Sequence, residues 1–162
     1  MQDYSRMKLD AVDIAILAAM QENARITISD LADRLHVVAS TCQRRLTRLE
    51  ENGVIQQYTA LLNEDALGYE AGVVVQIALD SQSETALNAF ECAVVEIPEV
   101  VECHLMAGES DYLVRLVVRD MRDFERIHKA HLSRLPHVTR IQSNMALRRI
   151  VRKSPPLPNA VE

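Results

Sequence analysis

The hydrophobic period of this chain changes once, near residue 70, and that change constrains the fold more than any other feature. In the first third, Leu9, Val12, Ile16, Leu17 and Met20 recur at steps of three and four, with Asp13 the one polar residue in the stripe. That spacing lines one face of a helix. Beyond residue 70, Val73, Val75, Ile77 and Leu79 alternate, as in a strand with one buried face. A helical segment followed by an alternating one predicts an α+β chain of two small domains.

Two further helices are predicted in the first part. Thr27 with Asp30 three residues on is a capping pattern, followed by Ile28, Leu31, Ala32 and Leu35 on one face. A third helix is predicted from Ala39 to Asn52, ending at Gly53, which can take the left-handed conformation that closes helices. Val54 to Tyr58 reads as a short strand. Residues 1–58 therefore predict a winged or extended helix-turn-helix, and 59–70 a connector ending at Gly68.

The second part, 71–151, reads as βαββαβ. A helix over 84–96 carries Leu87, Phe90 and Val94 and is stopped by Pro98. A strand from Val100 to Ala107 meets a turn at Gly108–Asp111, and Tyr112 to Arg119 forms the next. Met121, Phe124, Ile127, His131 and Leu135 mark a helix face. Val138 to Val151 closes the unit, with Ile141, Ser143, Met145 and Leu147 on one side. This order is the ferredoxin-like split unit. Its sheet carries helices on one face only, so the other face needs cover, and a homodimer or a larger assembly supplies it. The tail, 152–162, is Pro-rich and irregular, with Leu157 available to pack on a neighbour.

Composition narrows the function classes. With 48% hydrophobic and 25% charged residues over 162 positions, the chain can build cores and stay soluble. No apolar run approaches the ~20 residues of a membrane span. The stretch Met1–Lys8 has no apolar core of an export signal. Three cysteines without CxxC spacing suit a reducing cytoplasm, and no metal or cofactor is expected. The net charge of −5 argues against nucleic acid as a sum, yet residues 40–49 hold Arg44, Arg45 and Arg48 with no acidic residue. A basic element on an acidic body suits a multimer that contacts a phosphate backbone.

At 100° per residue, Cys42, Leu46 and Leu49 form the buried face of the third helix. Ser40, Arg44 and Thr47 lie opposite, Arg48 to one side, Thr41 and Gln43 on the flanks. Arginine for guanine, glutamine for adenine and short hydroxyls for phosphates or thymine methyls are what a recognition helix offers double-stranded DNA. A solvated surface is the alternative. Arg45 lies nearer the buried side and is expected to pair with an acid of the first helix such as Asp13. The turn Gly108–Asp111 is the candidate small-molecule site: its tip amides can hold a carboxylate and Asp111 can accept from an α-ammonium, with Met106, Ala107, Tyr112 and Leu113 around it. Gly-x-x-Asp is also an ordinary tight turn. His128 and His131 lack the accompanying residues of a metal motif and read as packed or surface side chains. Cys42 reads as a small core residue.

Two sets of motifs, in order, carry a resemblance. The first is Leu9-Asp10, Asp13, Ile16-Leu17, Gln21 to Arg25, Leu31-Ala32, Arg44-Arg45-Leu46, Arg48 to Glu51 and Gly53 to Ile55. The second is Gly108 to Leu113, Val117 to Met121, Leu135-Pro136, Val138, Ser143 and Met145 to Arg148. Over residues 8–151 the chain resembles the Lrp/AsnC family of feast/famine regulators. The resemblance implies a DNA-binding transcriptional regulator that dimerises through the βαββαβ domain, often stacks into octamers, and binds an amino acid between dimers. It also brings Ser143 and Met145 to the effector site. One departure stands out: the family's Gly-Leu-Ser-Pro before the recognition helix reads His36-Val37-Val38-Ala39 here. Loss of the serine cap costs roughly 1 kcal/mol. Ser40 to Gln43 forms a substitute capping box, so the helix is expected to start late, with Ser40 partly occupied by the backbone. The alternative reading is an enzyme, since sirohaem decarboxylases resemble the family in both domains; the arginine-bearing third helix and the turn favour the regulator.

Overall fold

The computed structural model describes residues 8–159, so the reading of the first seven residues as lacking an export signal lies outside them. The chain divides into two compact units, residues 1–60 with 152–162, and residues 61–151.

The first unit is three helices around one core. Helix α1 (Ala11–Glu22) opens on a full capping box: Asp10 accepts from the Val12 and Asp13 amides, and Asp13 accepts from the Asp10 amide. Helix α2 (Ile28–Leu35) starts at Thr27, whose hydroxyl oxygen accepts from the Asp30 amide. It ends at His36, held at φ 54° in the left-handed region. Helix α3 (Ala39–Glu51) follows. Ile16, Leu31, Cys42 and Leu49 are fully buried between the three. Leu157 packs on this same core, and the Pro155 carbonyl accepts from Gln21 Nε2 at 3.1 Å. The tail is thus irregular and docks on its own chain. Residues 54–58 form no strand: among the described residues no ladder partner meets them, and Tyr58 is half exposed.

The second unit is a four-stranded antiparallel sheet of order β2-β3-β1-β4, from β1 (Ala71–Leu79), β2 (Val100–Leu105), β3 (Tyr112–Val118) and β4 (Val138–Ala146). Helices α4 (Glu84–Val94) and α5 (Met121–Ala130) complete the βαββαβ order. Val73, Val75 and Ile77 stand in register with Leu116, Val114 and Tyr112. Together they bury against Phe90, Val94 and Ile127. The opposite face holds Gly72, Val74, Gln76, Leu113 and Arg115, with Gln142 and Asn144 across from Gln76 and Val74. Strand β4 stops at Ala146, five residues short of the expected end. Beyond it Leu147 is 98% exposed and Ile150 73%, and an alternating pattern cannot hold a strand without a neighbour to bond.

Candidate nucleic-acid interface and effector cleft

Helix α3 is fixed to α1 through a buried carboxylate. Asp13 is fully buried, and its two oxygens accept from Arg45 Nη1 at 2.9 Å and Arg48 Nη2 at 2.5 Å. Arg45 Nη1 also reaches Asp10 at 2.6 Å. The expected Arg45–Asp13 pair is present. Arg48, expected to one side of the outward face, pairs with the same carboxylate of α1 while its side chain stays 43% exposed.

That leaves one arginine on the exposed edge. Arg44 makes no hydrogen bond or ion pair among the described residues, and Ser40, Gln43 and Arg44 are all exposed. Thr41 and Thr47 are half-buried. Gln43 Nε2 donates to Thr47 Oγ1 at 3.3 Å, one turn on. The start of α3 corrects an expectation. Val38 is the N-cap and offers no side-chain bond, and the helix begins at Ala39 without delay. The Thr41 and Cys42 amides donate to the Val38 carbonyl at 2.9 and 3.0 Å. Ser40 is therefore inside the first turn, with its hydroxyl unengaged by any described residue.

In the second unit, the β2–β3 turn closes with the Met106 amide donating to the Asp111 carbonyl at 2.8 Å. Asp111 is almost wholly buried. Its carboxylate accepts from the Leu79 amide and from Gln82 Nε2, both at 2.7 Å. These two bonds tie the turn to the end of β1. Tyr112 is likewise buried, stacked on Phe90 at 4.2 Å and donating to Glu91 at 2.8 Å; burial first, then that carboxylate, pushes its phenol up.

A cleft of 190 Å³ remains, bounded by Met106, Ala107, Gly108, Tyr112 and Leu113 and by Gln76, Glu109 and Ser110. The amides of residues 107–110 donate to no described residue. Gln76 was missed, although a lone polar residue inside the apolar run of β1 was a visible signal. Ser143 and Met145 are not brought to this cleft. They oppose Val75 and Val73 and so share the helix-covered side, whereas Gln76 and Leu113 lie on the other.

A larger cleft of 520 Å³ includes Leu62, Glu64, Tyr69, Val74, Arg115 and Arg149. Arg149 holds both Glu64 oxygens at 2.9 and 2.7 Å, and Arg115 Nε donates to Glu102 at 3.0 Å. Nothing in the sequence pattern announced this network. Among the described residues no helix is long and apolar enough to cross a membrane.

Known proteins share both units. A family model described as winged helix-turn-helix DNA-binding matches residues 9–56, and one described as Lrp/AsnC ligand binding domain matches residues 72–156. The leucine-responsive regulatory protein of Rhizobium meliloti is 36% identical, covering 90% of this chain and 93% of its own. The Bkd operon transcriptional regulator of Pseudomonas aeruginosa is 35% identical, covering 93% and 99%. An AsnC family regulator from Agrobacterium tumefaciens superposes with a TM-score of 0.85 at 33% identity over 93% of this chain and 97% of that one. A Neisseria meningitidis regulator, in an L-Met complex, gives 0.84 at 32% identity over 91% and 95%. These relatives are regulators, and the decarboxylase alternative finds no support among them. The chain belongs to the Lrp/AsnC family of DNA-binding transcriptional regulators.

Proposed function

We propose that this regulator binds a roughly palindromic operator as a dimer or a multiple of it, and that an amino acid in the β2–β3 cleft modulates the binding. The observation that carries the reading is the exposed edge of α3, with Ser40, Gln43 and Arg44 facing solvent and the helix tied to α1 through the Arg45–Asp13 pair. Thr41 and Thr47 flank that edge. Two such helices one helical turn apart, about 34 Å, fit successive major grooves. The acidic total charge sets a low background attraction and leaves discrimination to direct contacts.

The second copy covers the sheet face that carries Val74, Gln76 and Leu113. Exposed Leu62, Leu147 and Ile150 support this, since an uncovered apolar surface is costly in water. The effector reading rests on the unengaged amides of 107–110, which suit a carboxylate, and on a volume well below the roughly 300–1,000 Å³ of drug-sized pockets. The L-Met complex of the Neisseria relative supports the same class. Glu109, Ser110 and Gln76 line the cleft and are the polar groups placed to meet an ammonium there. A cytoplasmic setting follows from a DNA target.

Footprinting on the promoter region of the chain's own gene, with each of the twenty amino acids added in turn, tests both parts. A protected, salt-sensitive site whose occupancy changes with one amino acid or a few is expected. Absence of salt-sensitive protection overturns the DNA reading. Protection indifferent to all twenty overturns the effector reading.

A further inference from the structure

We propose that Thr47 is a positioning residue that sets the amide of Gln43 for adenine, and that Gln43 and Arg44, without Arg48, determine base preference. The proposal rests on the DNA reading above and goes beyond it by dividing the work among residues of α3.

Of the three arginines in this helix, two are drawn to the buried Asp13, and Arg44 alone keeps all its donors. Gln43 precedes it, exposed, and points one N–H at Thr47 Oγ1. A primary amide has two N–H bonds and a carbonyl oxygen. With one N–H engaged, the second and Oε1 remain as a donor–acceptor pair, which matches N7 and the 6-amino group of adenine. The Thr47 bond also fixes which end of the amide faces inward. Without it, Gln43 pays rotamer entropy on binding and can present either end. Arg44, adjacent and unengaged, presents the two-donor fork that matches guanine O6 and N7. The operator half-site is therefore expected to contain an A·T and a G·C pair close together, each read by a separate side chain.

Selection from a randomised duplex library tests this, using the full-length protein and the variants Gln43→Ala, Thr47→Val, Thr47→Ser, Arg44→Ala and Arg48→Ala. Wild type should select one A·T and one G·C position per half-site, each preferred about tenfold or more. Gln43→Ala should flatten the A·T position only, and Arg44→Ala the G·C position only. Thr47→Val should weaken the A·T preference severalfold, Thr47→Ser should restore it, and Arg48→Ala should leave both preferences as in wild type. Gln43 is exposed, so its variant reads specificity without risk to folding. An unchanged A·T preference in Gln43→Ala or Thr47→Val overturns the proposal, as does a preference altered by Arg48→Ala. A wild type that selects no sequence overturns the parent reading as well, which separates the two failures.

Discussion

His36 sits at φ 54° between α2 and α3, where a side chain crowds its own backbone at a cost of about 1 kcal/mol. Two residues on, Val38 holds the N-cap of α3 without a side-chain bond. Both belong to the one stretch in which the sequence departs from the family pattern, and both carry a removable penalty. His36→Gly and Val38→Ser should each stabilise the protein by about 1 kcal/mol, read as a raised urea midpoint. The cap was misplaced from sequence because Ser40-Thr41-Cys42-Gln43 satisfies the capping pattern in letters. The Val38 carbonyl already accepts the first helical bonds, so the chain gains nothing by starting later. The partners of Arg48 and Asp111 were not legible for a related reason. Periodicity tells on which side of an element a residue lies, whereas an opposing buried group decides whether a charge is free. Only the α1–α3 contact and the end of β1 reveal those groups.

Between elements, the Asp10–Asp13–Arg45–Arg48 cluster joins α1 to α3. Asp13→Ala leaves Arg48 without its anion and should cost about 3–5 kcal/mol, whereas Arg48→Ala leaves Arg45 on Asp13 and should cost far less. Thermal melts of the two variants measure the difference, and equal losses would mean that the cluster does not set the helix pair. Acid tests the caps. Amides of the first turn, chiefly Asp13's, then Arg45, hold the Asp10 carboxyl below its ordinary range. The Arg119 amide and Arg126 do the same for Asp123. A lowered folded value means that the unfolded chain binds the proton more tightly. This contribution is therefore complete above the unfolded value of about 3.9 and is lost as pH falls through the folded one. Urea midpoints should be level from pH 7 to 5 and fall below pH 4, and Asp10→Asn should reduce that fall. The elements themselves were legible, because period three-to-four and period two are properties of residue order. The strand expected at Val54–Tyr58 and the last turns of β4 were not, since a strand exists only where another backbone meets it.

For the whole molecule, the βαββαβ sheet faces its helices with Val73, Val75 and Ile77 and leaves Gln76 and Leu113 on the other side. A second copy on that side predicts a dimer or larger in sedimentation, and Gln76→Arg should weaken both assembly and effector response; a monodisperse monomer that binds operator normally would contradict it. Family membership was legible over both halves because its motifs fall at turns, caps and the α3 arginines. The clefts were less so, for Ser143 and Met145 lie on the side of the sheet away from the β2–β3 cleft, which Gln76 lines. What the account most depends on is the free edge of α3, and gel shifts of wild type and Arg44→Ala on the chain's own promoter fragment against a scrambled duplex test it directly. The expected result is a wild-type preference for the promoter that Arg44→Ala reduces by about tenfold, with residual salt-sensitive binding to both duplexes. Equal affinity of the wild type for the two duplexes, or a preference untouched by Arg44→Ala, would contradict it.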